Sequence, residues 1–288
     1  MTRLFSRVSS AFRYFHKLPP PWVNANLFER TYLVRAQTIR TTSDKDDGWL
    51  FACSSLAHRI FDIGTNIGQA AILELLPDSV DHVLLVDPNP MALSIAAENL
   101  IVNGLINRVN LERVFVSDEA NQVLDFYTVL YGAAGSMFKS HAKTASKRNL
   151  HFKVSTTTID LLVGKYGVPD FIKIDIEGAE SFALKGAREC MRLNRTRFLV
   201  EMHSSSEMPM VANAQRVLET CAEVGYSAWY LSNKVILTSP EQLKDRGRCH
   251  LLLQPKDWEW PKTIIQIPQN APLDSALYHS IMGLELMA

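Results

Sequence analysis

Two short stretches of this chain carry residue types and spacings that chemistry needs. In the first, Asp62-Ile63-Gly64-Thr65-Asn66-Ile67-Gly68, an acid and two glycines frame a polar loop. Gly64 and Gly68 lack the side chains that would block a ligand, and their bare amides can contact its polar groups. About 20 residues after the loop, Asp87 ends an apolar run, where a carboxylate can accept both hydroxyls of a ribose. Together these features suit an adenosine cofactor. A dinucleotide pyrophosphate is usually held by G-x-G-x-x-G, but here Thr65 and Asn66 separate the two glycines. A carboxylate at Asp62 repels a diphosphate and suits the cationic sulfonium end of S-adenosylmethionine.

The second stretch is Phe171-Ile172-Lys173-Ile174-Asp175-Ile176-Glu177-Gly178-Ala179-Glu180. Alternate residues of a strand share a face, so the three isoleucines point one way and Lys173, Asp175 and Glu177 the other. Buried charges need partners, which predicts a Lys173–Asp175 pair. Glu177-Gly178 leaves the sheet at its carboxyl end, where ligands bind, and Glu180 opens the next helix, where an acid is favoured. A further apolar run ends in Glu201-Met202-His203. Glu201 and His203 then share a face at the crevice, and an imidazole suits general-base work near neutral pH. Asp175, Glu201 and His203 also offer hard oxygen and nitrogen donors for a divalent cation, but the spacing does not demand one, and no metal is expected.

These residues need a scaffold that delivers strand ends to one crevice. From about residue 58, short apolar runs alternate with helical stretches. The expected strands are His58–Gly64, His82–Asp87, Val109–Val116, Val123–Val129, Phe171–Ile176 and Phe198–Met202, followed by Tyr226–Leu231, Val235–Thr238 and Cys249–Leu253. The expected helices are Ile67–Leu76, Pro90–Val102, Ala179–Cys190 and Met210–Val224. Pro90 suits a first helical turn, and Asn103-Gly104 suits a left-handed C-cap. Residues 132–150 read as a surface loop. The pattern predicts an α/β fold, a doubly wound and mainly parallel sheet with an antiparallel edge.

The organisation expected is an amino-terminal basic segment over 1–50, a catalytic domain over 51–255 and a carboxyl-terminal tail over 256–288. Residues 1–17 carry Arg3, Arg7, Arg13 and Lys17 among apolar residues at near-helical spacing. Such a stretch suits an anionic membrane surface, an organelle transit peptide or a cap helix. Pro19-Pro20-Pro21 then breaks it. Lys+Arg and Asp+Glu balance at 30 each, which argues against a nucleic-acid binder. No apolar run approaches the roughly 18 residues of a spanning helix. The four cysteines form no C-x-x-C pair, so buried or free thiols in a reducing compartment are expected. The expected localisation is cytoplasmic, or an organelle if the first residues act as a transit peptide. Asn194-Arg195-Thr196 reads as a chance match to a glycosylation acceptor.

The chain resembles the FkbM family of S-adenosylmethionine-dependent methyltransferases. The matching pieces are FDIGTNIG at 61–68, VDPNP at 86–90, ENLIVNGL at 98–105, VSDEANQVLDFY at 116–127, TTIDLL at 157–162, FIKIDIEGAESFALKGA at 171–187 and FLVEMH at 198–203. Thr65 stands where the family often has Ala, and Asp87 where Glu is more usual. The resemblance implies a Rossmann-like class I methyltransferase fold and O-methylation of a hydroxyl on a sugar, polyketide or other small natural product. It implies cofactor contacts at Asp62, Gly64, Asn66, Gly68 and Asp87, with Asp118 near the adenine. Asp175 and Glu177 become the acidic element beside the transferred methyl.

A base is needed only for the hydroxyl proton. Asp175 or His203 is expected in that role, supported by Glu177 and Glu201. The partner is then a small-molecule or glycan hydroxyl acceptor. Two other readings stand beside this one. Tyr230 to Lys234 matches the Tyr-x-x-x-Lys spacing of some NAD-dependent oxidoreductases, but between two strand-like runs. A non-catalytic cofactor-binding or membrane-associated protein is the third reading.

Overall fold

The computed structural model describes residues 19–40, 42, 44, 46–129 and 135–285. The basic stretch 1–17 and residues 132–134 of the expected surface loop lie outside the described residues. The chain begins with a hairpin, β1 (Trp22–Leu27) and β2 (Arg30–Arg35), then helix α1 (Asp47–Ser55). The first half of the central unit is β3 (Arg59–Ile63), α2 (Gln69–Glu74), β4 (His82–Val86), α3 (Pro90–Val102) and β5 (Val109–Glu112). A small insertion follows: β6 (Phe115–Val116), β7 (Val123–Tyr127), α4 (Lys143–Lys147), β8 (His151–Thr157) and α5 (Ile159–Tyr166). The second half comprises β9 (Phe171–Ile174), α6 (Glu180–Lys185), α7 (Arg188–Arg192), β10 (Arg197–His203) and α8 (Met210–Val224). The chain ends with β11 (Tyr226–Tyr230), β12 (Val235–Ile236), β13 (Arg248–Pro255), α9 (Lys262–Ile265) and α10 (Ser275–Glu285).

Eight strands form the main sheet in the order β12-β11-β13-β10-β9-β3-β4-β5. Strands β10, β9, β3, β4 and β5 are parallel, and the antiparallel pairings gather at the other end, where β13 runs between β10 and β11. This is the doubly wound, mainly parallel α/β sheet that the alternating pattern predicts. Side chains alternate between two cores. Phe61, Ile63, Leu84, Val86, Ile172 and Ile174 pack against the helices of the second half. Ile60, Val83, Leu85, Phe171 and Leu199 pack against α1, α2, α3 and the carboxyl-terminal helices. Strand order turns back on itself between β3 and β9, and at that switch point loops diverge and leave a crevice.

Helix α3 matches its expected limits because both ends are marked locally. Asn89 caps it by accepting the Met91 amide, Pro90 opens it, and Gly104 closes it at φ 72°. Other boundaries shift for tertiary reasons. The run 109–116 divides, since Val109–Glu112 pairs with β4 while Phe115–Val116 pairs with β8. The expected helix 179–190 breaks at Gly186, whose carbonyl accepts the Asp160 amide instead of continuing the helix. The Asp160 carboxylate then accepts the amides of Glu189 and Cys190, starting α7 afresh. Helix α1 has no polar face, because all nine residues are buried, so it shows no helical period. The hairpin is held by Asn99 of α3 and by Asn103 at its C-cap, which bond the Arg35 amide (2.7 Å) and the Leu33 carbonyl (2.8 Å). All four cysteines are free and buried. Among the described residues no helix is long and apolar enough to cross a membrane.

Glu74 at the end of α2 is fully buried, and neither carboxylate oxygen has a hydrogen-bond partner. Burial, reinforced by the Asp62 charge and opposed by Lys173, pushes its carboxyl well above the ordinary 4.5. A raised folded-state value favours the fold below the unfolded value, and that contribution is lost as pH rises. Glu74→Gln is therefore expected to raise the melting temperature near neutral pH and to give no gain near pH ~4.5. Scanning calorimetry at the two pH values checks this.

Candidate active site

The glycine loop lies over the switch point. The Gly64 amide donates to the Val86 carbonyl (2.8 Å) and the Asp175 amide to the Ile63 carbonyl (2.9 Å), which ties the ends of β3, β4 and β9 together. Gly64 sits at φ +87°, and a Cβ there would lie 1.9 Å from the Asp175 carbonyl oxygen. A Cβ on Gly68 would lie 2.9 Å from that of Ala96, so this glycine lets α3 pack against the loop. Asn99, fully buried, donates to the Ile67 carbonyl (3.1 Å) and braces the loop from behind. Asn66 takes a left-handed φ of 51° and donates its amide to Asp87 Oδ2 (2.9 Å), while the Asn89 amide donates to Asp87 Oδ1 (2.8 Å).

A narrow slot runs along this edge, lined by Gly64, Asn66, Asp87, Pro88, Phe115 and Phe126 among others. Asn66 Oδ1 and Asn89 Nδ2 are buried here without hydrogen-bond partners. These orphan polar atoms, the bare glycines, the two aromatic rings and a carboxylate with lone pairs to spare fit a nucleoside. A second cavity of about 320 Å³ opens beside the slot and is lined by Asp46, Asp175, Glu177, Glu201, His203 and Arg248 among others. Gly64, Asn66, Asp175 and Glu177 line both.

Asp62 does not face either cavity. It is fully buried beneath the loop, and its Oδ1 accepts Lys173 Nζ at 3.0 Å, because the two residues are cross-strand neighbours in register. Lys173 also donates to the Gly64 carbonyl (3.1 Å) and lies 3.7 Å from Asp175 Oδ2. Burial works against its charge, but Asp62, Asp175 and Glu74 hold its ammonium well above the usual lysine range. The expected Lys173 pairing therefore forms chiefly with Asp62, whose carboxylate lies beneath the loop and lines neither cavity. Asp118 is likewise absent from the residues lining either cavity. Its carboxylate accepts Lys185 Nζ (2.6 Å) and Ser117 Oγ (3.2 Å). Tyr230 ends β11 and Lys234 closes the turn into β12, and neither lines the crevice.

The strand of the acidic element stops at Ile174, and Glu177 (φ 56°) and Gly178 (φ 105°) turn the chain. That turn sends Glu177 to His141, which bonds its carboxylate, and places it 3.6 Å from His203 Nε2. His203 Nε2 also lies 3.5 Å from Glu201 Oε1 and 4.0 Å from Asp175 Oδ1. On its other side, His203 Nδ1 bonds Glu180 Oε1 (3.0 Å). Glu180 is more than a helix-start acid. It is fully buried and also accepts the Gly178 amide (2.8 Å) and Asn213 Nδ2 (2.9 Å).

This arrangement sorts the titrating groups. Burial opposes charge on His203, but the bonds to Glu180 and Glu201 prevail and push it up to about 12. His203 is thus an imidazolium at neutral pH, which removes it as the general base and makes it a fixed positive centre. Burial followed by the Glu201 charge raises Asp175 to about 7, against the pull of Lys173 and His203. Glu177 stays ionised: burial works against it, but the His141 bond and the His203 charge keep its carboxyl low. Burial opposes the Glu201 charge as well, yet His203 and His250 hold it well below the usual carboxylate range. The sequence reading missed Asp46, His141, Arg248 and His250, and it gave Glu180 only the part of a helix-start acid. Asp46, His141 and the Arg248–His250 strand come from segments far from the two motifs, so no local spacing signals them.

The sequence model of the methyltransferase FkbM domain matches residues 62–228. The 2-O-methyltransferase NoeI of Sinorhizobium fredii (strain NBRC 101917 / NGR234) is 28% identical over 164 residues. The match covers 52% of this chain and 64% of that relative, so the chain spans less than two thirds of its length. Among solved structures, methyltransferase FkbM from Methylobacillus flagellatus KT aligns with a TM-score of 0.46 at 16% identity, over 68% of this chain and 43% of that one. Cofactor-bound Rv0187 from MTB aligns with a TM-score of 0.43 at 16% identity, over 76% and 82%. With the family's model covering more than half of its residues, including the glycine loop and the acidic element, this chain belongs to the methyltransferase FkbM domain family.

Proposed function

We propose that this protein is an S-adenosylmethionine-dependent O-methyltransferase acting on a hydroxyl of a sugar or another small natural product. The observation that carries the reading is the place of Asp175, which lines both the nucleoside slot and the larger cavity. A group there can touch an acceptor hydroxyl and the reacting methyl together. S-adenosylmethionine supplies a methyl group already activated by its sulfonium.

Asp87 accepts two backbone amides and still has lone pairs for two ribose hydroxyls. Asn66 Oδ1 and Asn89 Nδ2 add an unused acceptor and donor along the slot. Phe115 and Phe126 offer apolar surface for an adenine ring. On the acceptor side, Asp175 takes the hydroxyl proton, and its value of about 7 places it where a general base works best at neutral pH. His203, charged and held by Glu180, fixes the orientation of the carboxylates around it. Glu177 and Glu201 hold His203 in turn. A polar cavity lined by carboxylates together with Arg40, Lys173 and Arg248 suits an acceptor rich in hydroxyl groups. The name of the relative NoeI, a 2-O-methyltransferase, agrees with oxygen as the acceptor atom.

Incubating the protein with methyl-labelled S-adenosylmethionine and a cell extract, followed by mass spectrometry, tests the reading. Label on the oxygen of a small hydroxylated molecule is expected, and label on nitrogen or carbon would overturn the O-methylation. Burial pushes Asp87 up to about 6. Ribose hydroxyls donate to its ionised form, so S-adenosylhomocysteine affinity is expected to fall about tenfold between neutral pH and pH ~5. Calorimetric titration measures this. Asp87→Ala is expected to weaken binding by about 10- to 100-fold and to flatten that pH dependence.

A further inference from the structure

We propose that Asp46, Glu201 and His250 form a binding site for one divalent transition-metal ion in the wall of the larger cavity. His250 is 1% exposed, and its Nε2 has no hydrogen-bond partner. That nitrogen faces Glu201 Oε2 at 3.6 Å and Asp46 Oδ2 at 3.8 Å. Both separations are too long for hydrogen bonds. They match two ligands of one ion, since donors about 2.1 Å from a tetrahedral centre stand about 3.4 Å apart. The three donor atoms lie within 4.8 Å of one another.

The fold supplies this cluster from three places. Glu201 on β10 and His250 on β13 are directly opposed across an antiparallel pair, so their side chains share a face. Asp46 arrives from the start of α1. It occupies the N-cap position but makes no capping bond with its side chain. Trp49, one turn into α1, meets the His250 ring edge-on at 5.6 Å between centroids and fixes its plane. Arg248 Nη1 binds the other Glu201 oxygen, Oε1, at 2.9 Å, which aims Oε2 toward His250. Orientation of a ligand by such outer contacts is typical of metal sites.

Two neighbouring clusters offer similar donors, His141–Glu177–His203 and Asp175–Glu201–His203. In the first, His141 is bonded to Glu177 itself. In the second, the Glu201 oxygen that faces His203 Nε2 is Oε1, which Arg248 Nη1 already holds at 2.9 Å. His250 Nε2 is buried with no hydrogen-bond partner and faces Glu201 Oε2, the oxygen that Arg248 leaves open. One nitrogen and two carboxylate oxygens suit Mn²⁺, Fe²⁺, Co²⁺ or Zn²⁺. Asp46 and Glu201 both line the cavity, so the remaining coordination positions face the acceptor side. There an ion would bind a hydroxyl oxygen and acidify it. This last step rests on the proposed methyl transfer, whereas ion binding itself does not.

Electron paramagnetic resonance of the chelator-treated full chain with Mn²⁺ alone tests the site without cofactor or acceptor. One bound Mn²⁺ per chain is expected, with a nitrogen coupling from one imidazole in the echo-modulation spectrum. The coupling is expected to vanish in His250→Gln and to persist in His203→Gln. Asp46→Asn is expected to weaken Mn²⁺ binding at least tenfold with an unchanged melting temperature. Absence of stoichiometric binding, absence of nitrogen coupling in the unmodified protein, its survival in His250→Gln, or its loss in His203→Gln would each overturn the proposal. Normal ion binding with no methyl transfer would leave the metal site standing and refute the enzymatic reading alone.

Discussion

Gly64→Ala is expected to abolish measurable S-adenosylhomocysteine binding and to lower the melting temperature. The added Cβ would stand 1.9 Å from the Asp175 carbonyl oxygen and 2.8 Å from its carbon, both backbone atoms. No rotamer change relieves a backbone clash. The residue also sits at φ +87°, where an L side chain adds about 1–2 kcal/mol of strain. Relief requires β3 and β9 to move apart at their carboxyl ends, which breaks the Asp175-to-Ile63 hydrogen bond and shifts Asp175 itself. A loss of affinity of about 100-fold corresponds to one or two charge-assisted hydrogen bonds misaligned. Calorimetric titration and thermal melting measure the two effects. An alanine variant with undiminished affinity would show that the ligand does not use this loop.

Asp175→Asn is expected to lower turnover by about 10²- to 10⁴-fold while changing S-adenosylhomocysteine affinity only slightly. Asparagine keeps the size of the side chain but cannot take a proton. The Lys173 ammonium keeps its main partner, Asp62 at 3.0 Å, so the sheet is not left with an unpaired buried charge. The pH profile supplies a sharper readout. Asp175 is held at about 7, so wild-type turnover should rise as pH increases through that value and the carboxyl loses its proton. The variant should lose this limb of the profile. Unchanged turnover in Asp175→Asn would move the base elsewhere. His203 would be a poor substitute, since its proton is held up to about 12 between Glu180 and Glu201.

These expectations rest on different levels of information. The D-x-G-x-N-x-G loop and the terminal Asp87 were legible because a tight turn and a strand end are set locally. A glycine at positive φ, a strand end and a carboxylate near it are local properties. Helices α3 and α8 were legible for the same reason: Asn89-Pro90 and Gly104 mark α3, and Gly225 at φ 78° closes α8. The buried α1 and the hairpin were not legible. Their stability comes from contacts with α2, α3 and α10 and not from any period of their own.

The assignment of charges was hidden as well. Position along the chain placed Asp62 at the mouth of the loop. The parallel register of β3 and β9 gives its charge to Lys173 instead. Position likewise made His203 a free imidazole, while the fold surrounds it with Glu180, Glu201, Glu177 and Asp175. Protonation depends on the sum of nearby charges and on burial, and both are properties of three-dimensional proximity.

By itself, then, the sequence determined the alternation of strands and helices and the place of the glycine loop, because each depends on apolar alternation and on residues within one turn of each other. Only the tertiary structure decided which acids are neutralised, which one stays near 7 and which carboxylates the His250 ring faces. Those outcomes come from segments as distant as Asp46, His141, Glu201 and His250. A charge's free energy is set by its neighbours in space, and chain spacing does not encode them.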